Sequence, residues 1–228
     1  MPVTRPSLQL AQEPVRILLV ENRQLVRQGI QRVLEDTGYV TVLGDAADCD
    51  EAIRLARKQR PQVVVINLNG SAVSVLDGAR KLKRQFADIA VLVISPASDL
   101  IIQERLLQSG VAGCIDSRCS VDELLAAIDK VCRGERFISD ELAQKLAARR
   151  LPGAPRPLFD DLTHRELQIL LLVAEGRNTT QIARELCLTQ KTVNTYRNRL
   201  LDKLGVDTEV GLLHLAVRHG LVQVPESG

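Results

Sequence analysis

The chain has 228 residues, of which 45% are hydrophobic, and its formal net charge is +2. This apolar content suffices for real hydrophobic cores and excludes a disordered chain, while the length allows two domains. Aromatic residues make up only 2% of the chain, with no Trp, which argues against binding nucleic acid by stacking bases on aromatic rings. Because the net charge is so small, any affinity for DNA has to come from locally concentrated cations.

The cysteines and the first residues indicate a cytoplasmic chain. The five cysteines are odd in number and never spaced as CxxC, which favours buried thiols in a reducing compartment over a zinc or redox site. Residues 1–13 are predicted to form a flexible tail and lack the apolar core of a signal peptide. No apolar run is long enough to span a bilayer, so we expect no membrane association.

Residues 14–134 alternate between short apolar runs and amphipathic stretches, which predicts a doubly wound α/β domain with a parallel sheet. In such a fold, ligands bind at the carboxyl ends of the strands. The side chains that follow the strands are therefore the candidate site: Glu21, Asn22, Asn67, Ser95, Asp116 and Ser117. The predicted strands are 15–20, 40–43, 63–66, 90–94 and 112–115, and the predicted helices are 24–35, 50–59, 75–85, 100–108 and 121–132.

We find a resemblance to bacterial response-regulator receiver domains, which have a flavodoxin/CheY-like fold, in the opening segment VRILLVENRQLVRQGIQRVLED. The likeness continues to about residue 134. It implies two acids after the first strand, a phosphate-accepting Asp after the third, a Ser or Thr after the fourth and a Lys after the fifth. In that arrangement three carboxylates hold Mg²⁺, and the hydroxyl and ammonium bind the transferred phosphoryl group.

This chain departs from the receiver pattern at most of these positions. The acid pair reads Glu21-Asn22, the acceptor position is Asn67, the hydroxyl position keeps Ser95, and Ser117 stands at the Lys position with Arg118 next to it. An amide is not a competent nucleophile for acyl-phosphate formation. With one carboxylate of three remaining, we expect no cofactor and weak or absent Mg²⁺ binding. The aromatic switch position of the fifth strand is Cys114.

Two alternatives remain at this pocket. A misplaced acceptor would require a wrong third strand, since no Asp or Glu occurs between Gln59 and Leu76. The pocket is then either a small-ligand site or a locked set of satisfied polar groups. The surface of the fourth and fifth helices is left available for a protein partner.

Residues 135–158 are predicted to be a linker that contains a short helix at 139–150. The segment LPGAPRP follows this helix, and its prolines and glycine are typical of a semi-extended connection.

Residues 159–228 contain four helical patterns. Capping boxes begin at Thr163 and Asn178, and Asp207 is predicted to cap a last helix at 208–219. The third helix begins after Thr189 and ends at Gly205, with a buried stripe on one face and polar side chains on the other. A short helix, a tight turn and a longer helix with a polar outer face are typical of a helix-turn-helix.

This region strongly resembles the LuxR-type DNA-binding domain of NarL/FixJ-type response regulators, through LTHRELQILLLVAEGRNTTQIARELCLTQKTVNTYRNRLLDKLG. The segments KTVNTYRNRL and HLAVRHGL are most similar to the GacA/UvrY branch. The resemblance implies base contacts from Asn194, Thr195 and Asn198, a homodimer formed through the last helix, and double-stranded promoter DNA as the partner. The side chains that it implies for contacts to the DNA backbone are Thr179, Thr180, Lys191, Thr192, Arg197, Arg199 and Lys203; helix packing is an alternative role for the stem of Arg197.

The sequence therefore predicts a transcription regulator without catalytic activity, which works without phosphorylation of its own receiver. The alternative is an interaction partner that modulates another regulator or a sensor kinase.

Overall fold

The computed structural model describes residues 13–68, 71–96, 100–149, 151, 158–219 and 221–222. The chain forms two compact units, which divide between residues 143 and 144, except that residues 100–102, the start of a helix whose other residues belong to the first unit, are grouped with the second. The predicted tail lies outside the described residues except for Glu13. Among the described residues, no helix is both long enough and apolar enough to cross a membrane.

The first unit contains one parallel sheet of six strands in the order β2-β1-β3-β4-β5-β6. This confirms the predicted doubly wound α/β architecture. Helices alternate with the strands as far as α5. The strands are β1 (Val15–Val20), β2 (Val40–Ala46), β3 (Val63–Asn67), β4 (Ala90–Ser95), β5 (Gly113–Asp116) and β6 (Phe137–Ile138), and the helices are α1 (Gln24–Glu35), α2 (Cys49–Gln59), α3 (Ala72–Gln85), α4 (Leu100–Gln108) and α5 (Val121–Cys132).

The apolar runs become strands because the sheet is covered on both faces. The first four side chains of β3 have no exposed surface at all, as expected of a strand between two layers of helices. The core cluster on one face joins these strands to α1 and α5 through aliphatic side chains such as Leu34 and Ile128.

The sixth strand corrects the predicted linker, because residues 137 and 138 belong to the sheet. β6 pairs in parallel with β5, with Gly113 opposite Phe137. A Cβ at Gly113 would lie 2.7 Å from the carbonyl oxygen of Phe137, so the missing side chain allows this close approach. Helix α6 (Asp140–Arg149) follows, and the rest of the predicted linker, residues 150 and 152–157, lies outside the described residues.

The second unit holds the four predicted helices, α7 (His164–Ala174), α8 (Thr179–Glu185), α9 (Gln190–Leu204) and α10 (Glu209–Arg218). The predicted capping boxes at Thr163 and Asn178 are both present. The predicted cap of the last helix is wrong: Thr208, not Asp207, caps α10 by accepting a hydrogen bond from the Gly211 amide. Eight consecutive residues of α7 are buried, which makes this helix the centre of the unit.

All five cysteines are free thiols. The prediction of burial is right for Cys49 and Cys114, while Cys119 and Cys132 are half-buried and Cys187 is exposed. Burial raises the pKa of the Cys114 thiol to about 12, which keeps this thiol protonated and unreactive at neutral pH.

Candidate nucleic-acid interface and receiver pocket

The carboxyl ends of the strands bring several of the predicted pocket residues together. The Nδ2 group of Asn67 donates to Oε2 of Glu21 at 2.6 Å, and the Ser117 amide donates to the Ser95 carbonyl at 3.1 Å. Glu21 and Ser95 are buried, whereas Asn22 and Ser117 are exposed. Of the two residues that follow β1, the acid Glu21 is therefore buried and the amide Asn22 lies at the surface.

Arg23, which sequence reasoning missed, neutralises Glu21. Its backbone amide and Nε donate to Oε1 of Glu21 at 2.7 and 3.0 Å, and its Nη2 donates to Oε2 at 3.1 Å. The hydrogen bond to Glu21 is the main cause that raises the pKa of Arg23. The Glu21 side chain is fully buried, while that of Arg23 is half exposed. The only sequence signal was a cation two residues after the acid.

These groups do not fit a bound Mg²⁺ ion. Such an ion takes oxygen ligands, usually from one or two carboxylates and several waters. Both oxygens of Glu21 already accept hydrogen bonds from Arg23 and Asn67. In the described part of the chain, no group of three or more His, Cys, Asp or Glu side chains could hold a metal ion.

The Ser95 hydroxyl, like the Glu21 carboxylate, is held by a neighbouring side chain, that of Gln103 on α4. Its Nε2 donates to Oγ of Ser95 at 2.8 Å and to the Pro96 carbonyl at 3.1 Å, and the residue is only 3% exposed. The sequence contained a weak signal for it, an amide directly after the three apolar residues that begin α4.

Arg118 does not occupy the place of the missing Lys. Its guanidinium pairs with Asp116, with 2.9 Å between Nη2 and Oδ2, and its side chain is 75% exposed. The bond to this carboxylate is the main cause that raises the pKa of Arg118. The cation nearest to the expected Lys position thus has its own acidic partner.

In the second unit, α8, a short turn and α9 form the predicted helix-turn-helix. Thr189 caps α9 by accepting from the Thr192 amide, and Gly205 ends it in the left-handed conformation at φ 66°, which glycine adopts without strain. The turn contains Cys187 at φ 53°. The buried side chains of α9 are Val193, Leu200 and Leu204, so the predicted stripe is confirmed.

The opposite face of α9 carries exposed polar side chains. Asn194, Thr195 and Asn198 are all exposed. The Thr195 hydroxyl donates to the Lys191 carbonyl at 3.0 Å, so its proton is already used within the helix. Gln190, which the sequence analysis did not single out, is also exposed and donates to the Thr180 hydroxyl at 3.1 Å.

The four cations between Lys191 and Lys203 divide into two kinds. Lys191 and Arg199 are exposed, and neither forms an ion pair with any described residue. The Arg199 guanidinium lies 5.8 Å from the centre of the Tyr196 ring. These two side chains are therefore the cations of α9 that are open to an anionic partner.

Arg197 and Lys203 have acidic partners inside the unit. Nη2 of Arg197 lies 2.9 Å from Oε2 of Glu209, and the Arg197 side chain is 12% exposed. Nζ of Lys203 lies 2.8 Å from Oε2 of Glu166, whose side chain is 4% exposed. Although desolvation acts to raise it, hydrogen bonds from Lys203 and Thr163 lower the pKa of Glu166 overall.

Two family comparisons agree with this division into units. Residues 17–129 match the family described as "Response regulator receiver domain", and residues 160–216 match "Bacterial regulatory proteins, luxR family". A receiver-type α/β unit followed by a helix-turn-helix unit defines the class of DNA-binding response regulators.

Comparison with individual proteins shows which family within this class the chain belongs to. The chain is 38% identical over 209 residues to the response regulator GacA of Pseudomonas aeruginosa, covering 91% of this chain and 98% of that protein. It is 34% identical over 208 residues to UvrY of Escherichia coli K12, covering 91% and 95%. The chain therefore belongs to the NarL/FixJ family of response regulators, whose members are transcription factors and not enzymes, as the sequence predicted.

Solved structures of a more distant protein share the fold. RcsB of Salmonella enterica serovar Typhimurium bound to a promoter has a TM-score of 0.69 at 21% identity, covering 89% of this chain and 98% of that one. A structure of two RcsB dimers bound to two parallel DNAs has a TM-score of 0.56 at 21% identity, covering 89% and 97%.

Proposed function

We propose that the chain is a sequence-specific regulator of transcription that reads double-stranded promoter DNA with α9. The observation that carries this proposal is the exposed polar face of α9, with Asn194, Thr195 and Asn198 outward and three aliphatic side chains buried behind it. Asn can hydrogen-bond to base edges in the major groove, and the Thr methyl can contact a thymine methyl.

Contacts to phosphate would position this helix on the duplex. Lys191 and Arg199 are the best candidates because they are exposed and without an acidic partner among the described residues. Thr180 and Thr192 are predicted to contribute hydroxyl contacts near the helix amino termini. Thr179, Arg197 and Lys203, also predicted to contact the backbone, have partners inside the unit.

We infer that a homodimer binds the DNA. Val210 and Leu213 on α10 are 61% and 37% exposed, which supports an apolar contact between two copies of this helix. In one of the solved structures that share the fold, two RcsB dimers are bound to two parallel DNAs. A symmetric dimer of this kind would read two half-sites about one helical turn apart.

We further propose that regulation does not depend on phosphorylation of the chain's own receiver. Asn67 stands where the family places its acceptor, and its amide is tied to Glu21. The bonds from Arg23 to Glu21 and from Gln103 to Ser95 support a locked polar pocket rather than a ligand site, with Mg²⁺ binding weak or absent. The five free cysteines support a cytoplasmic location.

A second candidate function is modulation of another regulator or a kinase through the receiver unit. Leu25 and Val33 on α1 are 82% and 43% exposed, which favours a protein partner at this helix. This surface belongs to the first unit, whereas α9 belongs to the second.

The DNA-binding proposal is tested by selection. The full-length chain is incubated with a pool of random-sequence duplexes, and the recovered duplex is compared with random DNA in a titration. Specific regulators of this kind bind their sites about 10³-fold or more tightly than random DNA. Enrichment of a two-part site is expected, whereas a pool that stays random after repeated selection would contradict the proposal.

A further inference from the structure

We propose that Arg197 is a positioning residue for base reading, which acts through the Thr179 hydroxyl to orient the Asn194 amide. This inference deepens the proposed function and rests on it. It assigns Arg197 and Thr179, both predicted to contact the DNA backbone, to an internal relay of hydrogen bonds that ends at a base-facing side chain.

The relay joins three helices. On α10, Oε2 of Glu209 accepts a hydrogen bond from Nη2 of Arg197 at 2.9 Å. The other terminal nitrogen, Nη1 of Arg197, donates to the Thr179 hydroxyl on the first turn of α8. That hydroxyl donates in turn to Oδ1 of Asn194 on α9, with 3.4 Å between the two oxygens.

The donors and acceptors of these bonds give the relay a direction. A guanidinium can only donate, and a hydroxyl has a single proton to give. The Thr179 hydroxyl accepts from Arg197 and gives its own proton to Oδ1 of Asn194. The carbonyl side of the Asn194 amide therefore faces α8, and its NH₂ group is left as the part to meet another molecule.

This orientation selects what Asn194 can read. An outward NH₂ group donates, so it matches the acceptor atoms of the major groove, such as N7 and O6 of guanine, N7 of adenine and O4 of thymine. Asn198 differs, because its side chain forms no hydrogen bond with any described residue, and both halves of its amide stay available. The two asparagines of the reading face thus have different roles.

The burial and the charge pairing of Arg197 argue against a role in binding phosphate. Its side chain is only 12% exposed, and Glu209 balances its charge. A side chain that neutralises a phosphate releases counterions and steepens the salt dependence of binding, by about 0.9 in the slope of log K against log salt. Arg197 is expected to leave this slope unchanged, whereas Arg199 contributes to it.

The test uses the full-length chain and the duplex recovered by selection, with random duplex as the reference. Thr179→Val keeps the shape of the side chain and removes the hydroxyl, and Thr179→Ser keeps the hydroxyl. Arg197→Met keeps an apolar stem without donors, and Arg199→Met is its matched control on the exposed face. Each variant is titrated at several salt concentrations, which yields the ratio of random to specific Kd and the salt slope.

Thr179→Val and Arg197→Met are expected to lower the ratio of random to specific Kd about fivefold, which corresponds to the loss of one hydrogen bond. The salt slope of both variants is expected to stay unchanged. Thr179→Ser restores most of the ratio. Arg199→Met shifts the slope by about one unit and keeps the ratio. Combining Thr179→Val with Asn194→Ala costs no more than Asn194→Ala alone, because both changes remove the same contact.

An unchanged ratio in Thr179→Val, additive losses in the double variant, or a slope change of about one unit in Arg197→Met would each overturn the relay. If Arg197→Met fails to fold, as judged by its thermal unfolding, the Thr179 variants decide the outcome. A pool that yields no specific duplex contradicts the proposed function itself, and the inference falls with it.

Discussion

In the proposed interface, single residues of α9 divide into those expected to read bases and those expected to contact phosphates. Asn194→Ala and Asn198→Ala are expected to relax sequence preference, each by about 1–3 kcal/mol of discrimination. Lys191→Ala should weaken binding to all sequences and reduce the salt slope by about one unit. Titrations of selected and random duplexes over a salt series measure both effects. Equal losses on both duplexes for all three variants would refute this division of roles.

At the receiver pocket, Arg23 is expected to matter more than an ordinary surface cation, because it supplies three hydrogen bonds to a buried carboxylate. Its backbone amide remains in Arg23→Ala, but the guanidinium is lost. This change should lower the stability of β1 by about 1–3 kcal/mol, measured by hydrogen exchange of the β1 amides in the full-length chain.

The control for this change is Arg32→Ala. Arg32 pairs with Asp36 at 3.0 Å, but the two side chains are 77% and 57% exposed. Exposed pairs contribute about 0–1 kcal/mol, so this variant should behave nearly as the unsubstituted protein. Similar small effects of both substitutions would show that Glu21 does not depend on Arg23.

Among the helices, α7 and α9 are joined by the ion pair of Glu166 and Lys203. The folded-state pKa of Glu166 is lowered. Its carboxylate therefore stabilises the fold above the ordinary carboxyl range, and this contribution is lost as the pH falls through the lowered folded-state pKa.

Glu166→Gln should accordingly lower the stability of the second unit near about pH 7, and the deficit should shrink towards about pH 3. Hydrogen exchange of the buried α7 amides, corrected for the intrinsic rate at each pH, measures the difference. A deficit that stays constant over this range would mean that the charge of Glu166 is not what stabilises the contact.

Local patterns predicted most of the elements, since buried parallel strands are continuous apolar runs and capped helices carry their caps next to them. The two residues of β6 are too few to show any periodicity. Helix α3 begins at Ala72, three residues before the predicted start. At the start of α10, Asp207 and Thr208 are both good capping residues, and the local backbone geometry, which the sequence does not display, decides in favour of Thr208.

The site was harder to predict because its partners are distant in sequence. The sequence shows the cations of α9 but not their partners. Lys203 pairs with Glu166, 37 residues earlier, and Arg197 pairs with Glu209, 12 residues later. A helical stripe identifies which residues share a face and not what packs against them. The role of Gln103 could not be predicted for the same reason, because its contact with Ser95 depends on how α4 lies against β4.

At the scale of the whole molecule, the chain combines a helix-turn-helix, whose exposed polar face we propose reads DNA, with a receiver unit in which we propose that Asn67 stands at the acceptor position. The receiver pocket is held by internal hydrogen bonds from Arg23, Asn67 and Gln103. Control of DNA binding is therefore expected to come from dimerisation, from a protein partner or from the amount of protein.

The most direct measurement is a titration of the selected duplex with the full-length chain before and after incubation with acetyl phosphate and Mg²⁺, with the intact mass recorded on the same samples. The predicted result is an unchanged mass and an unchanged Kd. A phosphoryl adduct mapped to the receiver pocket, accompanied by tighter DNA binding, would contradict phosphorylation independence.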